Sequence, residues 1–150
     1  MLTLAAFALA MDARPSHLAC HCMRIRVCRL PLAPSSRCVL ILEDSVLVAM
    51  AIEAALADRG FDTIVAGTLA AAHERLGRTV PMAALLDLFL PDGTSVELAC
   101  SLQARGCQVA MCSGSDTLPG ACDFAASFRK PVVPAELVAW VEQATRDGGA

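Results

Sequence analysis

Hydrophobic and polar positions alternate along residues 38–145 in two distinct patterns. Five short runs are almost wholly apolar, as is typical of strands that are buried on both faces of a sheet. These runs predict strands at residues 38–42, 63–66, 82–86, 108–112 and 125–128.

The longer stretches between these runs repeat apolar residues at helical spacing. Val48 and Ile52, for example, fall on one face of a helix that begins after Ser45 and ends near Arg59. Residue types at the ends support the boundaries, because Ser45 suits an N-cap, glycines follow three of the segments and Pro134 suits a first turn. The pattern predicts helices at residues 46–59, 68–76, 94–104 and 134–144.

The regular alternation of strands and helices predicts a parallel sheet with helices on both faces. Because crossovers between parallel strands are right-handed, we expect an α/β fold with a doubly wound, five-stranded sheet. Between the fourth and fifth predicted strands, Asp116 and Pro119-Gly120 predict an irregular or single-turn segment.

Charged or hydroxyl side chains stand at the carboxyl ends of four predicted strands. Glu43 and Asp44 follow the first strand, Asp87 the third, Ser113 the fourth and Lys130 the fifth. That lysine is the only one in the chain, since the other eleven of the 12 Lys and Arg residues are arginines. Ligands of doubly wound sheets bind beyond the carboxyl ends of the strands, so we expect these side chains to form one site.

The residue types in this site favour phosphoryl chemistry. Neighbouring carboxylates repel each other, and a divalent cation stabilises such a set. Oxygen ligands without imidazole favour Mg²⁺, with Mn²⁺ as an alternative. Asp87 can act as a nucleophile, because carboxylates form aspartyl phosphates. Lys130 offers a compact positive charge, and the Ser113 hydroxyl can bond a phosphoryl oxygen.

Each of these residues alone also has a structural explanation. An aspartate at a strand end often caps a helix or forms a turn, and Ser113-Gly114 is a common turn sequence. The acidic pair can simply complement the dipole of the helix that follows it. The combination, in this order along the chain, favours a single site over these separate explanations.

The composition excludes several classes of function. The 150 residues suffice for one domain with a core. A net charge of −3, no tyrosine and one tryptophan disfavour nucleic-acid binding. No uncharged run of the predicted domain approaches the ~20 residues of a membrane span. Cys38, Cys107 and Cys112 lie in or next to predicted buried strands, so we expect reduced thiols and a cytoplasmic protein.

Residues 1–36 have a different character. Prolines interrupt any regular element there, and arginines predominate over acidic residues. We expect a disordered arm, or sequence upstream of the true start codon, before a domain at residues 37–146 and a tail at 147–150. Cys20-His21-Cys22 with Cys28 is an alternative candidate for zinc binding, although the spacing fits no standard finger.

Four segments match one known family in combination. They are LILEDS at residues 40–45, LLDLFLPDG at residues 85–93, Ser113-Gly114 and Lys130-Pro131. With these segments, residues 38–145 resemble the receiver domain of two-component response regulators of the single-domain type. The resemblance implies a flavodoxin-like (βα)5 fold with an irregular or shortened fourth helix, because residues 114–124 are short for a full helix and its loops.

The resemblance also implies roles for individual residues. Asp87 is expected to accept a phosphoryl group from a histidine kinase or a histidine phosphotransfer protein. Asp44 and Asp87 are expected to bind Mg²⁺ directly, Glu43 through water, and Phe89 through its carbonyl. The only chemistry implied is the gain and loss of the protein's own phosphoryl group, so we expect no other enzyme activity.

Switching is expected to depart from the usual pattern of the family. The resemblance makes Ser113 the switch hydroxyl and Lys130 the partner of the phosphate. An aromatic residue usually stands three positions before the lysine, but here Ser127 does, with Phe128 one position later. A loop that reorders around the phosphate is a possible replacement for the aromatic switch.

Output is expected to occur by binding, since no further module follows the last helix. A downstream protein would contact residues 114–144, and a relay or phosphate-sink role is an alternative. Trp140 either contributes to that contact or covers the edge of the core. Two other functions stay open: a receiver-like binding module that is never phosphorylated, and an aspartyl phosphatase. The phosphatase needs an acid two residues after the nucleophile, where Phe89 stands.

Overall fold

A five-stranded parallel sheet forms the centre of the molecule. In the computed structural model, which describes residues 35–114 and 123–147, its strand order is β2-β1-β3-β6-β7. All four neighbouring pairs are parallel, and the order reverses between β1 and β3. The doubly wound α/β fold is therefore confirmed. The strands are β1 Ser35–Leu42, β2 Asp62–Ala66, β3 Pro81–Asp87, β6 Gln108–Ser113 and β7 Ala126–Arg129.

In the described part of the chain, four helices cover the two faces of this sheet. Alternate residues of each central strand point to opposite faces, so β1 contributes Val39 and Ile41 to one core cluster and Leu40 and Leu42 to the other. The first cluster also contains buried residues of α1 and α4, and the second contains those of α2 and α3. The helices are α1 Val46–Ala57, α2 Leu69–Leu76, α3 Val96–Gln103 and α4 Pro134–Asp147.

A small hairpin between β3 and α3 was not predicted. β4 Phe89–Leu90 pairs with β5 Gly93–Thr94 in antiparallel register around Pro91 and Asp92. Gly93 has a φ of +142°, a conformation that favours glycine at this turn. Because residues 93–94 belong to the hairpin, the prediction that α3 begins at residue 94 is wrong, and the helix begins at Val96.

The remaining element boundaries differ from the prediction by a few residues. The site strands β3 and β6 each extend one residue further, so that Asp87 and Ser113 are their last residues. Ser45 occupies the N-cap position of α1 as expected, but its side chain makes no capping hydrogen bond. Its backbone N–H instead donates to Glu43 Oε1 at 3.2 Å.

Several sequence predictions lie outside the described residues. The zinc candidate, most of the arm at residues 1–36 and most of the shortened fourth helix at residues 114–124 are among them. The presence of four helices around five strands in the described part of the chain fits a shortened fourth helix. No helix in that part is long and apolar enough to cross a membrane.

The cysteines follow the prediction with one exception. Cys38, Cys107 and Cys112 are free and buried, as expected for small apolar side chains in a core. Cys100 on α3 is disulfide-bonded. The expectation of reduced thiols is therefore wrong for Cys100, because spacing along the sequence does not show which thiols pair in the fold.

Candidate functional site

The acidic residues predicted from the strand ends lie together at the carboxyl edge of the sheet. Leu42 of β1 pairs with Leu86 of β3, so the residues that follow them begin side by side. One carboxylate oxygen from each of Glu43, Asp44 and Asp87 lies within 4.8 Å of the others. Glu43 and Asp87 are buried, whereas Asp44 is exposed. The three acids converge at the point where the strand order reverses, which is where ligands of such folds bind.

Lys130 follows the edge strand β7, and its side chain reaches this cluster. Its Nζ donates to Asp87 Oδ2 at 2.6 Å and to Glu43 Oε2 at 2.9 Å. Only 29% of the lysine side chain is exposed, compared with 6% for Glu43 and 8% for Asp87. The structure therefore brings Lys130 together with two of the three acids at the edge of the sheet where the sequence placed them.

The two ion contacts keep the lysine charged. Burial acts to lower its pKa, but the hydrogen bonds to Asp87 and Glu43 and their negative charges outweigh that effect and raise it. Three acidic side chains and one ammonium leave the cluster with a formal charge of −2. Such a residual charge fits a divalent cation held by carboxylate oxygens.

Ser113 ends β6 beside the nucleophile candidate. Asp87 pairs with Cys112 across the sheet, and Ser113 is the next residue along β6. The carbonyl of Ser113 accepts from the backbone N–H of Lys130 at 2.9 Å, which aligns the ends of β6 and β7. Ser113 is only 3% exposed. Its position fits a hydroxyl close to a phosphoryl group on Asp87, and its role as the switch hydroxyl stays a prediction.

Phe89 lies at the start of the hairpin that follows Asp87. Its side chain is 61% exposed, and its backbone N–H lies 3.4 Å from Asp87 Oδ1. The residue two positions after Asp87 thus offers no acid for a phosphatase, as its sequence indicated. The proposed role of its carbonyl as a metal ligand stays a prediction.

Cys112 is a nucleophilic residue type next to the acids, but its thiol is inert. Burial raises its pKa to about 12, although the nearby Lys130 acts in the opposite direction. At neutral pH the thiol is therefore protonated. The thiol of Cys112 is therefore not a candidate nucleophile of this site.

Two residues of this region were not singled out from the sequence. Ser95 is fully buried, and its Oγ donates to the backbone carbonyl of Asp87 at 2.7 Å. Asp92 accepts from the backbone N–H groups of Leu69 and Ala70 at 2.9 and 3.0 Å, so it caps α2 from the hairpin. No signal in the sequence marked Ser95, because the pattern placed it inside the third helix, and the Pro-Asp-Gly sequence indicated only a turn.

Ser127 occupies the position, three residues before Lys130, where the resembled family usually has an aromatic residue. Ser127 on β7 is exposed, whereas Phe128 is half-buried and packs against the core. Phe128 and Trp140 meet edge to face, with ring centroids 6.3 Å apart. Trp140 therefore covers the edge of the core, the second of the two interpretations of this residue.

Comparison with known proteins gives structural matches alone. No family model and no curated protein matches the chain. A CheY-like response regulator receiver domain protein from Methanospirillum hungatei is 21% identical with a TM-score of 0.68, over 76% of this chain and 97% of that one. A CheY-like receiver domain from Methylobacillus flagellatus is 25% identical with a TM-score of 0.63, over 73% and 99%.

A third structure includes a modified site. It is a response regulator protein from Burkholderia pseudomallei with a phosphorylated aspartic acid, a calcium ion and citrate. That protein is 16% identical with a TM-score of 0.62, over 74% of this chain and 69% of that one. The expected resemblance is confirmed at the level of the fold: this chain folds as response regulator receiver domains do.

Proposed function

We propose that this protein is a response regulator receiver that accepts a phosphoryl group on Asp87. The observation that carries the proposal is the position of the Lys130 ammonium, which bonds the buried carboxylates of Asp87 and Glu43 beside the exposed Asp44. The phosphorylated aspartic acid of the structurally similar Burkholderia pseudomallei protein supports the same chemistry.

The transfer uses groups that this chain provides. A carboxylate oxygen of Asp87 attacks the phosphorus of a phosphohistidine, the new O–P bond forms, and the P–N bond breaks with its electron pair returning to the imidazole. Lys130 lies against Asp87 Oδ2, so its charge can stabilise the negative oxygens of the transferred group. Ser113 lies at the end of the adjacent strand, where its hydroxyl can donate to one of these oxygens.

Glu43, Asp44 and Asp87 fit a divalent cation, which we propose is Mg²⁺. Their oxygens lie within 4.8 Å of one another, and the set includes no imidazole or thiolate. When bound, Mg²⁺ would supply positive charge that brings phosphoryl oxygens and carboxylates together. Asp44 is the exposed member of the set and so can exchange its contacts with solvent readily.

The surface around the site fits docking of a protein donor. All five exposed large apolar side chains of the described residues follow Asp44, Asp87 or Lys130 by two to six positions. We call this set the apolar rim; it consists of Val46, Leu47, Met50, Phe89 and Val133. Contiguous exposed apolar groups mark interaction surfaces, and the short separation of these five residues from site residues along the chain supports one here. We propose that a histidine kinase or histidine phosphotransfer protein docks on this rim, and that a downstream protein reads residues 114–144.

The labelling chemistry of Asp87 tests the proposed function. Incubation with a small phosphodonor and Mg²⁺ should produce one acid-stable, base-labile phosphoryl group. Asp87→Asn should abolish it, while Asp58→Asn, which removes an exposed aspartate at the end of α1, should leave it unchanged. Labelling that persists in Asp87→Asn would overturn the site.

A receiver-like binding module that is never phosphorylated is the alternative function. It would retain the fold and the ion contacts but show no Mg²⁺-dependent change with acetyl phosphate or beryllofluoride. The site favours a receiver that is phosphorylated over this alternative. A purely structural ion pair of Lys130 with two acids needs neither the third acid, Asp44, nor its exposure to solvent. We propose that the protein catalyses no reaction beyond the gain and loss of its own phosphoryl group.

A further inference from the structure

The backbone of the nucleophile is held by a side chain that the proposed phosphoryl chemistry does not include. Ser95 Oγ donates to the carbonyl of Asp87 at 2.7 Å, and Ser95 is 0% exposed. The ladder between β1 and β3 ends at Leu42 and Leu86, one residue before Asp87. The hydroxyl therefore satisfies a buried carbonyl at the very end of that ladder, where an unpaired group would be costly.

Ser95 also fixes the residue after the nucleophile. Its backbone N–H donates to the carbonyl of Leu88 at 3.1 Å, and the N–H of Leu88 donates to the carbonyl of Cys112 at 3.0 Å. The carbonyl of Ser95 accepts from Ala99 N at 2.8 Å within α3. One buried serine thus ties both peptide groups after Asp87 to the beginning of α3.

This use of the hydroxyl is not that of an ordinary helix cap. A serine at an N-cap normally accepts from an N–H of the first turn of its helix. Ser95 is the N-cap residue of α3, yet its side chain makes no such bond. Its hydroxyl acts as a donor to the nucleophile's own backbone instead, so its effect falls on Asp87 rather than on the end of the helix.

We infer that Ser95 is a positioning residue that holds Asp87 in the orientation for phosphoryl transfer. This inference rests on the proposed function. The carboxylate is attached to a Cα whose following peptide is fixed by Ser95, and in-line attack requires close placement of the reacting oxygen. Loss of one buried hydrogen bond of this kind should slow transfer about tenfold.

The test compares Ser95→Ala and Ser95→Thr with Ser101→Ala, which removes an exposed hydroxyl from the same helix. Three quantities are measured on the full chain: the rate of labelling by saturating acetyl phosphate and Mg²⁺, the Mg²⁺ affinity by calorimetry, and the amide NMR shifts of Leu88 and Phe89. Ser95→Ala should slow labelling about tenfold, leave Mg²⁺ affinity within about twofold and move both amide signals. Ser95→Thr should restore most of the rate, and Ser101→Ala should match the wild type.

The contrary outcomes are distinguishable. Labelling of Ser95→Ala at the wild-type rate would overturn the positioning role alone. A slow rate accompanied by an equal loss of Mg²⁺ affinity, with no recovery in Ser95→Thr, would also overturn it and indicate general damage to the domain. If the wild type takes up no phosphoryl group on Asp87, the proposed function fails, and the positioning role fails with it.

Discussion

The two acidic turns at the carboxyl edge of the sheet contribute to one site but are built differently. The β1–α1 turn (residues 43–45) buries Glu43 against Lys130 and leaves Asp44 exposed. The β3–α3 connection (residues 88–95) folds into a hairpin, and Ser95 at its end holds the backbone after Asp87. The β1–α1 turn thus presents the carboxylate of Asp44 to solvent, while the β3–α3 connection fixes the backbone of Asp87.

This difference matches the two tasks that the site would perform. A cation ligand must exchange with water, and the exposed Asp44 can do so. A nucleophile must keep its orientation while a bond forms, and the hydrogen bonds behind Asp87 provide that orientation. Lys130 contacts Glu43 in the first turn and Asp87 directly before the second connection, so its side chain links the two.

The largest effect is expected from removing the ammonium that joins the two turns. Lys130→Ala leaves Glu43 and Asp87 buried without their counter-charge, which should cost about 2 kcal/mol of unfolding free energy and slow labelling by about 100-fold. Lys130→Arg should not restore the rate, because its planar fork does not fit a point-charge site. Urea unfolding measures the first effect and labelling rates measure the second. An unchanged labelling rate in Lys130→Ala would contradict the view that the two turns depend on each other through Lys130.

The next largest effect, on stability and Mg²⁺ affinity, is expected from a change to the exposed acid alone. Asp44→Asn removes one of three neighbouring carboxylates, so it should raise Tm by about 2 °C without Mg²⁺. It should also lower Mg²⁺ affinity about tenfold, so that the same concentration of Mg²⁺ stabilises the variant less than the wild type. Asp58→Asn is the control at an exposed position. A variant that is less stable without Mg²⁺ and binds it normally would contradict this view of Asp44.

A smaller effect, on phosphoryl transfer from a protein donor, is expected at the apolar rim. Leu47 is 80% exposed on α1, just after the β1–α1 turn. Leu47→Asp should weaken transfer from a phosphohistidine protein about fivefold and leave labelling by acetyl phosphate unchanged. The ratio of the two rates measures the role of the rim. Equal rates from the protein donor in wild type and variant would exclude Leu47 from the docking surface.

The smallest effect concerns the far end of the hairpin. Two N–H groups of α2, from Leu69 and Ala70, lower the pKa of Asp92. Because the folded pKa is lowered, the stabilisation is present above the unfolded pKa of about 3.9 and is lost as the pH falls through the folded value. Asp92→Asn should therefore be slightly less stable than wild type at pH 6, and the difference should diminish as the pH falls through the folded pKa of Asp92. A difference that does not change with pH would assign Asp92 only a steric role.

The fold was largely predictable because it depends on repeating patterns. Apolar runs and helical spacing located all five strands of the sheet and all four helices of the described residues. The β4–β5 hairpin escaped prediction because strands of two residues are too short to show a period of two.

The candidate site was predictable only in part. Parallel strands end at a common edge, so Glu43, Asp87 and Lys130 could be placed together from their positions alone. The sequence could not show that the Ser95 hydroxyl bonds the carbonyl of Asp87, since the same residue could have capped its own helix. Asp92 likewise finds its partners more than twenty residues away, which a local turn motif does not reveal.

The most direct test of the central claim is to locate the phosphoryl group chemically. Borohydride reduces an acyl phosphate to an alcohol, so treating the labelled protein should convert one aspartate to homoserine, which peptide mass spectrometry can locate. The proposed function predicts conversion at Asp87 alone, dependent on both Mg²⁺ and the phosphodonor. Conversion at another residue, or none under conditions in which the protein is folded, would contradict the assignment of this site.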